Sequence, residues 1–393
     1  MFIDVDCFQL SKHNQNAFGD YFVVRRKAEE ERLIAVLSDG LGSGIKASIL
    51  ATMTATMLLR FVEEDVDIRN AAEIMMNSLP VCKVRRISYA TFSVVDCDED
   101  GNVRVVEEGN PDFVWLRGPE ALEAPCRVVA SRSFPDRQLK FYNFKVQLGD
   151  RLVFCSDGVT QAGLGKKKFK FGLRRSGLID ILRSEIADEP ELSSSALVRR
   201  IVGAAKAADP DGLPRDDISA CVVYFRNPRQ SMIFTGAPFD DALDSYYVDM
   251  FAAFAGKKAI CGGTTANIIS REMGRAVTTT EVRPPGGLPA AGTMEGVDLV
   301  TEGILTLTKV VEYLEKDAPG QSFHGVQHRD AARQLIDFML DSDEIAIMMG
   351  VRPNQAHYDP TLPVEIEIRR NVIQKIKQLM ENKYFKKVNI QSI

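Results

Sequence analysis

Residues 33–47 (LIAVLSDGLGSGIKA) join a short apolar run to a glycine-rich turn and then to a helical pattern. The apolar run predicts a buried strand, and the spacing of the apolar residues over 45–61 predicts a helix. Asp39 is thereby placed at a strand end, beside glycines that let a ligand approach the backbone closely. A hard cation could use the Asp39 carboxylate and the Gly40 carbonyl as ligands. An ordinary turn is the alternative interpretation, and this stretch by itself favours the turn.

Length and charge limit the classes of function. A chain of 393 residues is longer than one hydrophobic core usually holds, so two domains are predicted. The net charge of −5 argues against a nucleic-acid surface. No apolar run approaches the roughly 20 residues that span a bilayer, and the N-terminus has no signal-peptide pattern. The sequence therefore predicts a cytoplasmic protein that does not bind membranes.

Zinc ligands are not indicated by the cysteines or histidines. The seven cysteines stand singly, without a Cys-x-x-Cys pair, and several lie in apolar runs, as Cys155 and Cys221 do. This favours reduced thiols in a protein core. His324, His328 and His357 could meet, but no carboxylate pattern accompanies them, so surface histidines are the favoured interpretation.

Three more acidic positions flank predicted strands. Asp20 opens a predicted strand over 20–26, Asp157 stands in a second Ser-Asp-Gly at the end of a buried strand, and Asp216-Asp217 precede the strand predicted over 218–225. Between them, the period-two pattern over 89–117 predicts an antiparallel meander. In a shared sandwich the carboxylates would converge at one edge, where divalent cations relieve their repulsion. Oxygen-only ligands favour Mg²⁺ or Mn²⁺, and two such ions could ionise a water and hold a phosphoryl group for in-line attack. Independent turn aspartates are the alternative, and spacing alone leaves both open.

Four motifs carry a resemblance to a known family: Gly19-Asp20, DGLGSGIKA at 39–47, DRLVFCSDGVT at 150–160 and DDIS at 216–219. In this order they resemble the metal-dependent protein Ser/Thr phosphatases of the PPM type, and within them the bacterial SpoIIE/RsbU-like branch. The resemblance covers about residues 1–226. It implies an α+β fold in which a central antiparallel β-sandwich is flanked by helices. It also implies hydrolysis of phosphoserine or phosphothreonine in a regulatory protein by in-line attack of a metal-bridging hydroxide.

The resemblance also implies roles for individual residues. Asp39 would bridge two Mn²⁺ or Mg²⁺ ions, and the Gly40 carbonyl would complete one coordination shell. Asp20 matches the upstream ligand of the family, and Asp157 and Asp216 match the ligands of the other metal. Asp216 rather than Asp217 stands at the ligand position of the motif. In this branch the substrates are often phosphorylated anti-anti-sigma-type regulators.

The chain departs from the family pattern at two places. Leu41 stands where eukaryotic relatives have a histidine that is thought to act as general acid, so water or a metal-bound water is expected to protonate the leaving serine alkoxide. Residues 107–111 (EEGNP) replace a small, histidine-containing loop, which puts the substrate contacts in doubt. The nearby variable segment carries a group of lysines that could attract a phosphoprotein, although a solvated loop is the favoured interpretation. These lysines are Lys166, Lys167, Lys168 and Lys170.

Beyond a predicted short linker at 226–231, residues 232–393 are expected to form a smaller α/β domain. No family is recognised in this domain. Its Gly262-Gly263-Thr264-Thr265 turn, between a predicted strand and a predicted helix, could hold an anion on free amides and hydroxyls. A plain capped turn is an equal alternative. The turn suggests a ligand-sensing or regulatory domain that binds a phosphate-bearing small molecule.

Three functions remain open from the sequence. The first is the metal-dependent phosphoprotein phosphatase, and the second is a catalytically idle or ligand-gated binding module. The third is a small-molecule phosphatase. The complete set Asp20, Asp39, Asp157 and Asp216 favours an enzyme, because an idle site need not keep its metal ligands. A homodimer is the hypothesis for its assembly.

Overall fold

A computed structural model describes the chain except residues 16, 28–29, 43, 79–89, 133, 135–136, 167–168, 280–290, 317–329 and 353–362. Residues 279 and 363–366 are described by their backbone alone. The chain divides into two compact units, Met1–Asn227 and Pro228–Ile393. His324, His328 and His357, which were considered as zinc ligands, lie outside the described residues.

The first unit consists of antiparallel strands and helices. Its strands are β1 (Phe2–Leu10), β2 (Asp20–Lys27), β3 (Arg32–Gly40), β4 (Ala90–Asp98), β5 (Asn102–Glu108), β6 (Val114–Arg117), β7 (Glu120–Leu122), β8 (Cys126–Ala130), β9 (Gln138–Lys145), β10 (Asp150–Cys155) and β11 (Ile218–Arg226). Its helices are α1 (Ile45–Glu63), α2 (Ile68–Ser78), α3 (Asp157–Thr160), α4 (Arg174–Asp188) and α5 (Ser194–Ala208).

These strands form two sheets that pack face to face. One sheet has the order β1-β11-β10-β6-β7 and the other β2-β3-β4-β5-β9-β8, and neighbouring strands are antiparallel throughout. Apolar side chains such as Ile3, Leu33, Phe154 and Phe225 fill the space between the sheets, and each contributes about 1.5–3 kcal/mol by burial. Helices α4 and α5 cover the outer face of the first sheet, and α1 and α2 cover that of the second. The predicted antiparallel sandwich flanked by helices is confirmed.

Among the described helices, α1 is long and apolar enough to span a membrane by length and composition. Its side chains Leu58 and Val62 are buried against Ile34 and Val36 of β3. One face of α1 is therefore part of the core of this unit, which is typical of a core helix in a globular domain.

The second unit has a largely parallel sheet. Its strands are β12 (Gln230–Thr235), β13 (Lys257–Cys261), β14 (Thr278–Thr279), β15 (Gly292–Met294), β16 (Val297–Thr301), β17 (Glu344–Met349) and β18 (Lys387–Ser392), in the order β14-β15-β16-β13-β12-β17-β18. The strands from β16 to β18 in this order are parallel. Helices α6 (Asp244–Ala253) and α7 (Gly263–Met273) pack on one face, and α8 (Ile304–Lys316), α9 (Ala331–Leu340) and α10 (Pro363–Tyr384) on the other. The predicted α/β character of this region is confirmed.

The connection between the two units is shorter than the sequence predicted. Strand β11 continues to Arg226 and β12 begins at Gln230, so residues 227–229 are all that separates the two strands. The sequence had assigned 226–231 to a linker because its polar residues and Pro228 suggested irregular backbone.

Candidate functional site

The four predicted acidic residues come from strand ends in both sheets of the first unit. Asp20 and Asp39 lie opposite each other on β2 and β3. Asp157 is separated from the end of β10 by Ser156 and begins α3, and Asp216 lies just before β11, which pairs with β10. Each sheet therefore supplies two carboxylates to the same edge of the sandwich.

The glycine after each strand-end aspartate is required by close backbone contacts. A Cβ atom on Gly40 would lie 2.3 Å from the carbonyl oxygen of Ala47 in α1. A Cβ atom on Gly158 would lie 2.0 Å from the carbonyl oxygen of Asp217. Both distances are far below van der Waals contact, so only glycine, which has no Cβ atom, fits at these two positions. The repeated Asp-Gly pair therefore packs neighbouring segments closely enough to bring the carboxylates together.

Burial raises the pKa values of all four carboxyl groups, and those of Asp39 and Asp157 are raised further by other members of the cluster. Burial, followed by the charges of Asp20, Asp157 and Asp216, raises the pKa of Asp39 to about 10. Burial likewise raises the pKa of Asp20 to about 7. The pKa values of Asp157 and Asp216 are also raised, first by burial, and for Asp157 next by the charge of Asp216. The cluster thus resists full ionisation without positive charge nearby.

Neighbouring side chains hold the carboxylates in place. The Ser219 hydroxyl donates to Oδ2 of Asp20 at 2.6 Å, and Nε2 of Gln161 donates to Oδ2 of Asp157 at 2.7 Å. Asp217 has a different role, because its carboxylate accepts the backbone N–H groups of Lys12, at 2.8 Å, and of Gly19. Asp217 therefore braces the loop before Asp20, while the neighbouring Asp216 belongs to the acidic cluster.

The acidic cluster lies in a cleft of about 980 Å³. Asp39, Asp157 and Asp216 line it together with Leu41 and Lys12. The ammonium group of Lys12 acts to lower the pKa of Asp216, although burial outweighs it. A cleft of this size accommodates a side chain or a small molecule and remains accessible to water.

The donor set of the cluster fits a hard divalent cation. Its side-chain donors are carboxylate oxygens, which Mg²⁺ and Mn²⁺ prefer. Within the described ranges, no three histidine, cysteine, aspartate or glutamate side chains already converge as a finished metal-binding group. The Asp39 carboxyl instead lies close enough to share protons with Asp20 and Asp157. Cation binding would therefore displace these protons and require small side-chain rotations.

Glu107 is a buried acid of this cleft. From the sequence it was noted only as part of the 107–111 segment, where the chain departs from the family pattern. It is 1% exposed at the end of β5 and lines the cleft. It accepts hydrogen bonds from the Phe113 N–H at 3.2 Å and from the Ser93 hydroxyl at 3.4 Å. Burial, followed by the charge of Asp112, raises its pKa to about 8. Glu107 is therefore mostly protonated at neutral pH.

We expect Glu107→Gln to stabilise the protein at high pH. The folded-state pKa of about 8 exceeds the ordinary value of 4.5, so the unfolded chain releases this proton first and stability is lost as pH rises through that interval. Glutamine keeps the shape of the protonated group without titrating. The gain in the free energy of unfolding, measured in urea with EDTA, should grow from near zero at pH 5 toward about 4 kcal/mol above pH 8. The control is Glu120→Gln at an exposed position of β7, and parallel pH curves for wild type and Glu107→Gln would contradict the assignment.

The lysine-rich segment is only partly described. The ammonium group of Lys166 donates to the carbonyl of Asp209 at 2.7 Å, and that of Lys170 lies 5.6 Å from the centre of the Phe171 ring. Lys167 and Lys168 lie outside the described residues. Lys166 thus contributes to the loop structure, and attraction of a substrate by this segment stays a prediction.

In the second unit, Gly262 follows β13, and Gly263, Thr264 and Thr265 already form the first turn of α7, so the helix begins earlier than the predicted turn allows. The Thr265 hydroxyl accepts the N–H of Gly236 at 2.8 Å and is buried. The Gly262 N–H donates to the carbonyl of Thr301 at 2.9 Å, whereas Gly263 and Thr264 are exposed. Thr265 therefore joins α7 to the end of β12, and anion binding by the exposed part of the turn stays a prediction.

Comparison with solved structures finds relatives of low sequence identity. The PP2C phosphatase domain with a fragment of the regulatory domain of the cell fate determinant SpoIIE from Bacillus subtilis is 16% identical, with a TM-score of 0.47. That match covers 57% of this chain and 63% of the other, so the chain spans less than two thirds of its length. RsbX in complex with magnesium is 20% identical, with a TM-score of 0.39 and coverage of 56% and 94%. The RsbU and RsbW domains of a Mycobacterium tuberculosis protein are 16% identical, with a TM-score of 0.45 and coverage of 63% and 67%.

Comparison with family models identifies the family of the first unit. No curated protein matches the chain. The family model of Stage II sporulation protein E (SpoIIE) matches residues 29–226, slightly more than half of the chain. This range contains Asp39, Asp157 and Asp216, together with most strands of the sandwich. The resemblance to the SpoIIE/RsbU-like branch of the PPM-type phosphatases is thereby confirmed, and the chain belongs to the SpoIIE family.

Proposed function

We propose that the first unit is a Mn²⁺- or Mg²⁺-dependent phosphatase that hydrolyses phosphoserine or phosphothreonine in a regulatory protein. The observation that carries this proposal is the convergence of Asp20, Asp39, Asp157 and Asp216 at one edge of the sandwich, where burial raises all four pKa values and the charges of the other three carboxylates raise that of Asp39 further. Such a cluster of buried carboxyl groups contributes little to the stability of the fold. Acidic groups with raised pKa values in an open cleft are typical of functional sites.

The carboxylates of Asp20, Asp39, Asp157 and Asp216, together with the Gly40 carbonyl, would hold two divalent cations. Bound there, the cations would lower the pKa of a water molecule and neutralise the charge of the phosphoryl group. Gln161 and Ser219 orient Asp157 and Asp20 for this role through their hydrogen bonds. Such fixed supporting contacts are typical of metal centres.

In the reaction, water attacks phosphorus opposite the serine oxygen, the P–O bond to that oxygen breaks, and inorganic phosphate leaves. The serine oxygen then takes a proton. Leu41 lines the cleft next to the Asp39-Gly40 pair and has no proton to give. We therefore assign the final proton transfer to water, which the open cleft admits. Lys12, in the same cleft, attracts the phosphorylated substrate.

The partner we propose is a phosphorylated regulatory protein of the anti-anti-sigma type, in accordance with the family match. The second unit would act as a regulatory domain, and a homodimer is the proposed assembly. The described cysteines are free thiols, which supports a reducing compartment such as the cytoplasm. An idle binding module and a small-molecule phosphatase are the competing functions.

The test is hydrolysis by the full chain of a phosphoserine peptide, p-nitrophenyl phosphate and glucose 6-phosphate, with Mn²⁺, Mg²⁺ or EDTA. We expect release of phosphate from the peptide to be about 100-fold or more faster with Mn²⁺ than with EDTA. Preference for glucose 6-phosphate over the peptide would indicate the small-molecule phosphatase. No hydrolysis of any substrate with either metal would favour the binding module and contradict the proposal.

A further inference from the structure

A second cavity of the first unit lies outside the carboxylate cleft and has no role in the proposed reaction. Its volume is about 720 Å³. It lies between the first turn of α2 and the strands β5, β8 and β9. Four arginines line it, and we call it the arginine cavity: Arg69, Arg104, Arg127 and Arg132.

Strand register explains how these arginines come together. Arg127 of β8 lies opposite Phe141 of β9, which in turn lies opposite Val106 of β5. In the next row, Arg104 lies opposite Asn143. Side chains two residues apart on a strand point to the same face. The outer face of the sheet therefore presents an apolar floor, with guanidinium groups at its border.

Contacts from α2 fix the wall of the cavity. Glu73 of α2 is buried and accepts hydrogen bonds from the Ser131 hydroxyl at 2.9 Å and the Arg132 N–H at 2.8 Å. These bonds join α2 to the segment that follows β8. Asp67 also lines the cavity, but its carboxylate accepts the N–H of Asn70 at 3.0 Å in the same helix turn. The cavity is thus formed in the fold itself, as ligand sites usually are.

The positive charge of the cavity is only partly neutralised. Arg104 pairs with Asp96, which also binds Arg32. Within the described ranges, Arg69, Arg127 and Arg132 form no ion pair, and Nε of Arg69 is buried without a hydrogen-bond partner. The whole chain has a net charge of −5, so a concentration of unpaired arginines at one cavity runs against its overall charge.

We propose that the arginine cavity binds a small phosphate-bearing molecule with an aromatic or apolar body, such as a nucleoside diphosphate. Guanidinium groups bind phosphate oxygens in pairs of hydrogen bonds. The partly buried ring of Phe141 offers an apolar surface to the rest of the molecule. The volume lies within the range of known small-molecule sites. This site uses none of the proposed metal ligands, so it does not depend on the phosphatase activity.

Binding can be tested on the full chain with N-methylanthraniloyl-ADP in EDTA, where no metal can recruit phosphate to the aspartates. We expect saturable fluorescence titration, competition by pyrophosphate, and about tenfold or greater weakening in the double variant Arg127→Ala and Arg132→Ala. Both arginines are exposed, so their removal leaves the core intact. The matched control is Arg183→Ala, at an exposed position of α4, which should change the affinity by less than about twofold. Absence of saturable binding, or equal weakening by the control, would overturn the proposal.

Cys126 gives an independent measurement on the unmodified chain. It is exposed and lines the arginine cavity. We expect ADP to slow its alkylation by iodoacetamide, followed by mass spectrometry of the peptide that contains it, by about fivefold or more. Binding of the fluorescent nucleotide without this protection would place the nucleotide elsewhere. Protection by polyglutamate but not by ADP would identify a surface for an acidic protein. Either result would overturn the proposal.

Discussion

Asp39→Asn should lower the metal-dependent turnover of a phosphoserine peptide by about 10³-fold or more, equivalent to about 4 kcal/mol of transition-state stabilisation. Burial, followed by the charges of all three other carboxylates of the cluster, raises the pKa of Asp39 to about 10. Asp39 is therefore the central group of the cluster. Asparagine removes the negative charge that the cations require but keeps one oxygen ligand. The measurement is kcat/KM with saturating Mn²⁺.

Because the pKa of Asp39 is raised, this variant separates an effect on turnover from an effect on folding. Without metal, Asp39 is protonated at neutral pH, and asparagine is close in shape to a protonated aspartate. Asp39→Asn should therefore fold as well as the wild type in EDTA, which thermal unfolding can check. The control is Asp180→Asn, at an exposed position of α4, which should leave turnover unchanged. Turnover by Asp39→Asn within tenfold of the wild type would remove Asp39 from the metal site.

The strands and helices that were predicted well are those whose own residues show a clear pattern of apolar and polar positions. Helix α1 and strand β11 begin at the predicted residues, 45 and 218, and end within two residues of the predicted ends, because each has a clear apolar pattern. Strand β18 was not predicted, since the segment KVNIQS has few apolar residues. Its extended state depends on parallel pairing with β17 over Lys387–Ser392. Such pairing between distant segments leaves no local signal.

The convergence of the four aspartates could be predicted, whereas their supporting contacts could not. Each aspartate stands beside an apolar strand, and the order of the motifs carries the family resemblance. Ser219, which supports Asp20, is 199 residues away in sequence, and nothing in its neighbourhood indicates that contact. Glu107 had a usable signal, because it continues the alternation of the inward-facing Val103 and Val105 in β5. The arginine cavity draws on separate segments of the chain and required the strand register.

Mn²⁺ should stabilise the full chain strongly at pH 7.5 and weakly at pH 5. The folded-state pKa values of Asp20, about 7, and Asp39, about 10, both exceed the ordinary 3.8. The folded protein without metal therefore keeps protons that the unfolded chain releases. The stability that these two protonated groups contribute is fully present below pH 4 and is lost as pH rises, through about 7 for Asp20 and through about 10 for Asp39. Cations must displace these protons, so at pH 5 protons compete for the carboxylates, whereas at pH 7.5 Mn²⁺ replaces them more easily.

Thermal unfolding in EDTA and in excess Mn²⁺ measures this difference. We expect Mn²⁺ to raise the midpoint by about 5–10 °C at pH 7.5 and by about 2 °C or less at pH 5. Asp157→Asn should lose most of the increase at pH 7.5, because it removes a proposed ligand, whereas Asp180→Asn should keep it. An increase that is equal at both pH values, or one that survives in Asp157→Asn, would mean that Mn²⁺ binds outside the acidic cluster. The metal would then stabilise the fold without serving the proposed reaction.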